Sequence, residues 1–163
     1  MYKEWTLMSK PMTRRTAREI LIKIFYQADV NGDVDTSEYV GRLDSKDDLK
    51  EYLVTCGGED AEKTSLKAED QIGFIKAVCF QWDMHRDEID DMIRRYSINW
   101  KLERMARTDL AIMREAACEI RYIDDVPAAV TINEAVELAK IYGTEKSTSF
   151  INAVLGKIAS ENE

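Results

Sequence analysis

The stretch Val126-Pro-Ala-Ala-Val-Thr-Ile-Asn-Glu-Ala-Val-Glu-Leu-Ala-Lys-Ile-Tyr-Gly143 decides the fold, because it is the most regular piece of the chain. Pro127 ends any helix that precedes it, since its ring fixes φ and removes a backbone N–H. Thr131 and Glu134 have the spacing of a capping box, in which two side chains accept hydrogen bonds from free N–H groups at a helix start. Gly143 can adopt the left-handed conformation that closes a helix. The stretch therefore predicts a helix that begins at Thr131 and ends at Gly143.

Apolar residues at helical spacing support this helix and predict one on each side of it. The stripe of the central helix consists of Ile132, Ala135, Val136 and Ala139. Before it, Thr108 is suited to cap a helix, and the stripe of that helix is Leu110, Met113, Ala117 and Ile120. After it, a terminal helix has the stripe Phe150, Ile151, Val154, Leu155 and Ile158.

The first part of the chain shows the same kind of pattern. Thr13 suits the N-cap of a first helix, whose buried side is predicted to be Ala17, Ile20, Leu21, Ile24, Phe25 and Ala28. Further helices are predicted over residues 47–56, 68–84 and 87–96. A helical turn is predicted over residues 99–106, with its inward side chains being Trp100, Leu102 and Met105.

These elements predict an all-α fold of about seven helices in two small packed helical bundles, since no strand signal and no repeat is present. Residues 13–163 are expected to form a single domain with subdomains over about 13–67 and 68–159. Residues 1–12 are expected to be a flexible N-terminal lead-in.

Composition is typical of a folded, soluble domain. Of the 163 residues, 45% are hydrophobic and 33% are charged, which excludes the disordered class. No apolar run approaches the ~20 residues of a membrane span, so no membrane partner is expected. Cys56, Cys79 and Cys118 are odd in number and widely spaced, which indicates core thiols of a reduced, cytoplasmic protein.

The net charge of −8 is unevenly distributed along the chain. Residues 1–25 carry +4, residues 26–70 carry −8 and residues 71–163 carry −4. A uniformly basic nucleic-acid binder is excluded, but a basic N-terminal region on an acidic body remains. Its cations are either a solvated helix end or a contact for phosphates. They are Lys10, Arg14, Arg15 and Arg18.

A second apolar surface is predicted on the first helix. Ile22 and Tyr26 lie at i, i+4 spacing on the side away from the core stripe. Two interpretations stay open: a further packing surface inside this chain, or a site for a protein partner, because adjacent exposed apolar residues tend to be used.

Residues that carry chemistry are scarce. Asp29 to Asp35 alternate like a calcium loop, but Val34 and Val40 occupy the positions of the turn glycine and the bidentate glutamate. His85 is the single histidine and is expected at the surface or at a helix junction. No glycine-rich phosphate cradle, metal-ligand cluster or nucleophile–base set occurs, so the sequence predicts neither an enzyme nor a cofactor or metal.

Three groups of residues resemble the NusB family of bacterial transcription antitermination factors. The N-terminal part of the family's sequences is resembled by Arg14-Arg-Thr-Ala-Arg-Glu19 and Phe25-Tyr-Gln27. Its centre resembles Trp100…Leu102-Glu-Arg-Met105, Asp109-Leu-Ala-Ile-Met-Arg114 and Glu119-Ile120. Its C-terminal signature resembles Asp125-Val-Pro127, Ile132-Asn-Glu-Ala-Val-Glu-Leu-Ala-Lys140, Tyr142-Gly143 and Phe150-Ile-Asn152…Val154-Leu155.

The resemblance implies a factor that binds boxA-type single-stranded RNA of ribosomal RNA transcripts together with NusE, a small-subunit ribosomal protein. The complex would act on RNA polymerase with other Nus factors, and homodimerisation is left open. Its implied RNA contacts are Lys10, Arg14, Arg15, Arg18, Lys146, Ser147 and Phe150. The implied NusE contacts are Tyr26 and Asp109, and Ile22 joins them from the apolar surface.

Departures from the family pattern keep other functions open. Thr16 stands where a basic residue is common, Lys146 replaces a frequent Asp, and Glu115 stands where an apolar residue is preferred. One alternative is a divergent NusB-like protein-interaction module without RNA binding, which the net charge of −8 favours. A NusB-like domain fused to an RNA cytosine methyltransferase is disfavoured, because 163 residues leave no room for a catalytic domain.

Overall fold

The computed structural model describes residues 12–45, 47–48 and 68–161. These ranges hold six α-helices, one 3-10 turn and no β-strand, so the predicted all-α fold is confirmed. The helices are α1 (Arg14–Asn31), α2 (Ser37–Arg42), α3 (Ala68–Tyr96), α4 (Arg107–Tyr122), α5 (Ala128–Tyr142) and α6 (Glu145–Ser160), with the 3-10 turn Leu102–Arg104 before α4. The predicted helix over 47–56 and the predicted subdomain boundary at residues 67 and 68 lie largely outside the described residues.

Helix α1 forms as its sequence pattern predicts. The Thr13 hydroxyl caps it by accepting the Thr16 N–H at 3.0 Å. The helix ends at Gly32, whose φ of +70° lies in the left-handed region that glycine adopts without strain. Met12, the last residue of the predicted lead-in, is buried in the core. The predicted stripe is also buried, namely Ala17, Ile20, Leu21, Ile24, Phe25 and Ala28.

Helix α3 contains a kink that separates the two helices predicted over residues 68–84 and 87–96. His85 has φ −130° and ψ 19°, outside the helical region. Its ring stacks on that of Tyr122 with 4.0 Å between the centroids. His85 is therefore the helix-junction residue that the sequence analysis expected.

Helix α4 is the central element, since it packs against α1, α3, α5 and α6. Its inward residues join one continuous hydrophobic core with those of the other helices. Cys79 and Cys118 lie in this core as free thiols, and burial raises the pKa of Cys79 to about 12. Among the described residues, no helix combines the length and apolar character that crossing a membrane requires.

Acidic residues at the C-terminal end of α1 accept hydrogen bonds from arginines, and those in the turn after it accept from the hydroxyls of Tyr39 and Ser37. Asp29 accepts hydrogen bonds from Arg107 at 2.9 Å and from Arg114 at 3.3 Å, both on α4. Arg114 also binds Asp90 of α3 through two nitrogens at 2.9 and 3.0 Å. This network ties the C-terminal end of α1 to the kinked part of α3.

The predicted capping box of α5 is wrong. The helix begins at Ala128, three residues before Thr131, and Pro127 occupies the N-cap without a side-chain hydrogen bond. Thr131 donates instead to Glu119 of α4 at 3.3 Å, and Glu134 pairs with Arg15 of α1. Both side chains therefore bind residues of other helices and do not cap α5.

Two further details differ from the sequence predictions. Helix α4 begins at Arg107 with Ala106 at the N-cap, so Thr108 lies inside the helix and does not cap it. Trp100, predicted to face inward, is 57% exposed, whereas Leu102 and Met105 are buried as expected.

Gly143 closes α5 for a reason other than the one predicted. Its φ of −105° and ψ of −161° are extended, not left-handed. A Cβ at this position would lie 2.8 Å from Ser147 Oγ and 2.9 Å from both Ser147 Cβ and the Ala139 carbonyl oxygen. Glycine is required because the start of α6 approaches the end of α5 closely.

We expect Gly143→Ala to lower the free energy of unfolding by about 1–3 kcal/mol, because the added methyl group overpacks the turn. Gly156→Ala in α6 is the matched control: a Cβ there meets no atom within 4 Å. This control should raise the free energy of unfolding by about 0.5–1 kcal/mol through helix propensity. Urea denaturation measures both, and equal stability of the two variants would contradict the close approach.

Candidate nucleic-acid interface

The N-terminal part of α1 presents three arginines with different environments. Arg18 is 3% exposed and donates two hydrogen bonds to Glu119 of α4, each at 2.8 Å. Its guanidinium is thus a bridge between α1 and α4. Arg18 was predicted to contact a phosphate, but little of its side chain is exposed in this arrangement.

Arg14 and Arg15 lie at the surface of the same helix end, and each is held by a neighbour. Arg15 is 34% exposed in its side chain and binds both oxygens of Glu134 at 2.9 and 3.0 Å. The Arg14 guanidinium lies over the Phe74 ring, 3.9 Å from its centroid. Burial, with the nearby charge of Arg18, lowers the pKa of Arg14, but a guanidinium stays cationic in proteins. Both arginines are therefore cations in fixed positions, as phosphate binding requires.

Two buried glutamates lie beneath the arginines. Burial raises the pKa of Glu115 well above its ordinary value, and the charge of Glu119 adds to the shift. Burial also disfavours the charged form of Glu119, but hydrogen bonds from Glu115 and Arg18 outweigh it and lower the pKa of Glu119. The departure from the family pattern at Glu115 therefore places a carboxyl with a raised pKa in the core beside one with a lowered pKa.

The N-terminal turn of α6 holds the second group of predicted RNA contacts. Ser147 is 4% exposed. Its Oγ accepts the Thr144 N–H at 3.0 Å and donates to Asp109 Oδ2 at 2.8 Å. Lys146 is exposed, and Phe150 packs partly against the core one turn later. Lys146 and Phe150 share a face of α6, because they are four residues apart.

A shallow groove separates α1 from the C-terminal end of α5 and the first turn of α4. Tyr26 is 40% exposed at its edge, whereas Ile22 is only 4% exposed. The Tyr142 hydroxyl crosses the groove and donates to Glu19 at 2.9 Å. The lining residues are Glu19, Ile22, Lys23, Tyr26, Gln27, Thr108 and Tyr142. The apolar surface predicted on α1 is thus partly used inside the chain and partly left at the surface.

The structure brings several predicted site residues together. Asp109, expected to face a protein partner, binds Ser147, expected to face RNA. Thr108 of the groove precedes Asp109 directly, so the groove lies next to the start of α6. Lys10 lies outside the described residues.

The sequence patterns did not predict four surface residues. Thr108 and Tyr142 line the groove, yet the sequence patterns assigned Thr108 to a cap and gave Tyr142 no role. Val30 is 51% exposed and continues the i, i+4 series of Ile22 and Tyr26, a spacing that could have identified it. Trp100 lies against Phe150, and no signal in the sequence distinguished it from a core tryptophan.

Known proteins that are similar to this chain identify its family. A NusB family model matches residues 15–160. The chain belongs to the NusB family. It is 37% identical over 147 residues to the transcription antitermination protein NusB of Clostridium botulinum (strain Kyoto / Type A2), covering 90% of this chain and 99% of that protein. It is 38% identical over 152 residues to the NusB of Bacillus subtilis (strain 168), covering 93% and 98%.

Solved structures show the same fold. NusB of T. maritima superposes with a TM-score of 0.66 at 32% identity, covering 93% of each chain. A chain of a complex of antitermination factors NusB and NusE with double-stranded RNA has a TM-score of 0.66 at 22% identity, covering 91% of this chain and 96% of that chain. The second likeness supports the fold alone.

The buried glutamates predict how stability depends on pH. The raised native pKa of Glu115 means that the unfolded chain loses this proton first, so the free energy of unfolding falls as pH rises above about 4.3. Glu115→Gln removes this titration and keeps the side-chain shape. We expect it to raise the free energy of unfolding near pH 7.5 and to flatten the decline of this free energy as pH rises above about 4.3.

Glu119→Gln is the contrasting variant. The lowered pKa of Glu119 contributes stability above about pH 4.3 that is lost on acidification. The substitution also removes the charged partner that Arg18 binds at 2.8 Å and leaves only Glu134, 4.0 Å away, at a cost of about 3–5 kcal/mol. Urea denaturation across this pH range checks both variants, and a Glu115→Gln variant less stable than the natural chain at pH 7.5 would show that Glu115 is ionised in the fold.

Proposed function

We propose that this chain is a transcription antitermination factor that binds boxA-type single-stranded RNA of ribosomal RNA transcripts together with NusE. The complex would act on RNA polymerase with other Nus factors. The observation that carries the proposal is the Ser147–Asp109 hydrogen bond, which joins the start of α6, beside Lys146, to the start of α4, beside Thr108 of the groove. An RNA and a protein partner bound to these two surfaces would touch one another.

The RNA surface is assigned to two regions along α5. Arg14 and Arg15 lie beside the first half of α5, where Glu134 binds Arg15. Lys146 and Phe150 follow its C-terminal end. Glu134 and Tyr142 are separated by about 12 Å along the helix axis, at 1.5 Å per residue. A single strand that runs along α5 can therefore place its phosphates on the arginines and an unpaired base on Phe150.

The NusE surface is assigned to the groove edge at Tyr26 and to Asp109. Tyr26 offers an apolar ring and a hydroxyl at 40% exposure, a combination enriched at the centres of protein interfaces. Asp109 is half-buried and uses one oxygen to bind Ser147, while its Oδ1 has no hydrogen-bond partner among the described residues. That oxygen is itself buried, so the assignment of Asp109 to the NusE surface rests on the family resemblance and on its place beside Thr108 of the groove.

The net charge of the chain affects its expected affinity for RNA. At −8 the protein repels RNA at long range, so affinity for RNA alone is expected to be low. A partner that neutralises part of this field raises affinity without new base contacts. We propose that the chain binds RNA jointly with NusE, and that it acts in the cytoplasm by binding and not by catalysis.

The net charge also favours the second candidate, a NusB-like module that binds protein partners without RNA. Both candidate functions use the groove, but only RNA binding uses Arg14 and Arg15. If the protein binds NusE but no boxA-type RNA, even with NusE present, the second candidate is correct.

We expect Arg14→Ala combined with Arg15→Ala to weaken binding of boxA-type RNA and to reduce the slope of log affinity against log salt by about two, because two phosphate contacts are lost. Arg94→Ala combined with Lys157→Ala is the matched control, since it removes two exposed cations outside the proposed surface. Fluorescence anisotropy with NusE present measures both. An unchanged salt slope in the Arg14 and Arg15 variant would remove these residues from the site.

We expect Tyr26→Asp to weaken NusE binding by at least about 30-fold, the effect of losing an interface hot spot. Val34→Asp is the control, because it adds the same charge at a residue that is 79% exposed and lies outside the groove. Calorimetric titration gives the affinities, and circular dichroism checks the fold. If Tyr26→Asp unfolds the chain, Tyr26 is a core residue and its assignment to the partner surface fails.

A further inference from the structure

The turn between α3 and α4 holds a tryptophan at the surface in a fixed position. Asn99 has a φ of +71°, a left-handed conformation that Asn tolerates better than most residues. The Trp100 N–H then donates to the Ser97 carbonyl at 3.0 Å. Two residues further on, Leu102 begins the 3-10 turn and is buried. The backbone around Trp100 is therefore anchored, although its side chain is 57% exposed.

Trp100 lies beside an aromatic residue of the proposed RNA surface. Its ring centroid is 6.4 Å from that of Phe150, and the ring planes are inclined by 58°. Phe150 packs partly against the core, which holds the pair to the body of the protein. A soluble protein gains nothing in stability from leaving so large an apolar face in water, so the exposed ring is a candidate contact surface.

Exposed cations lie close in sequence to the two rings. Lys146 lies one turn before Phe150 on the same face of α6, while Lys101 and Arg104 follow Trp100. Two exposed acids, Glu103 and Glu145, are also nearby in the chain, and the balance is positive. Aromatic rings among cations are the composition that binds single-stranded nucleic acid, since bases stack on the rings and phosphates meet the charges.

We infer that Trp100 and Phe150 form a two-ring platform on which an unpaired base of the RNA stacks, with Trp100 as a base-contacting residue that the family resemblance does not assign. The inference rests on the proposed RNA-binding function and extends its surface beyond α6. Stacking accepts any base, because every base has a π face. The platform therefore adds affinity and fixes the position of the strand without selecting its sequence.

The test titrates the full chain, in the presence of NusE, with a fluorescently labelled boxA-type single-stranded RNA at several salt concentrations. Trp100→Ala is expected to weaken RNA binding by about tenfold, the scale of one stacked base. Trp100→Phe keeps a π face and should restore most of the loss. Ile98→Ala is the matched control, because it shortens a neighbouring side chain that is 67% exposed but has no π face. The salt slope should not change in any of them, since no phosphate contact is removed.

An RNA series with single abasic sites locates the base. One abasic position should weaken binding to the natural chain and have no further effect on Trp100→Ala, which is the signature of direct contact. Equal RNA affinity of Trp100→Ala and the natural chain would overturn the platform and leave the proposed function intact. Loss of NusE binding by Trp100→Ala in the absence of RNA would also overturn it and identify a protein-docking surface. Absence of RNA binding by the natural chain would refute the proposed function and the platform together.

Discussion

The buried ion pair between Arg18 and Glu119 is the interaction on which the rest of the structure depends. It joins α1 to the central helix α4 through two 2.8 Å hydrogen bonds in a region closed to water. Such a pair gains little net stability, because both charges lose their hydration. Its value lies in specificity: with either partner displaced, a charge would remain buried alone, so α1 has one position on α4.

Further polar contacts fix the positions of α5 and α6 relative to α1 and α4. Thr131 of α5 donates to the same Glu119, and Glu134 one turn later binds Arg15 of α1. Helix α5 ends at Gly143, where the close approach of Ser147 fixes the start of α6. Ser147 then binds Asp109 at the start of α4. The proposed RNA and partner surfaces are thus the outer sides of a closed set of polar contacts.

Local patterns predicted the helices well, and long-range partners explain most of the misses. The stripe and cap of α1 needed only residues close in sequence, and both were predicted correctly. Thr131 and Glu134 also matched a local motif, but partners on α4 and α1 outcompeted the cap. The partner of Arg18 lies 101 residues away in the sequence. Residue spacing therefore could not show that Arg18 is buried, whereas Arg14 and Arg15 lie at the surface.

The proposed site was predictable in type but less so in detail. Family resemblance identified Lys146, Phe150 and Tyr26, and the structure leaves each with exposed or partly exposed atoms. Trp100 was expected in the core because tryptophan is usually well buried. Its exposure follows from the left-handed Asn99 and the anchored turn, a backbone feature without a clear sequence signal.

The proposed joint binding of RNA and NusE to neighbouring surfaces is tested most directly by calorimetric titration of both ligands around a thermodynamic cycle. We predict that saturating NusE tightens the binding of boxA-type RNA by at least about tenfold, and that RNA tightens NusE binding by the same factor, because coupling between sites is reciprocal. Equal RNA affinity with and without NusE, or no RNA binding in either case, would contradict the proposed arrangement.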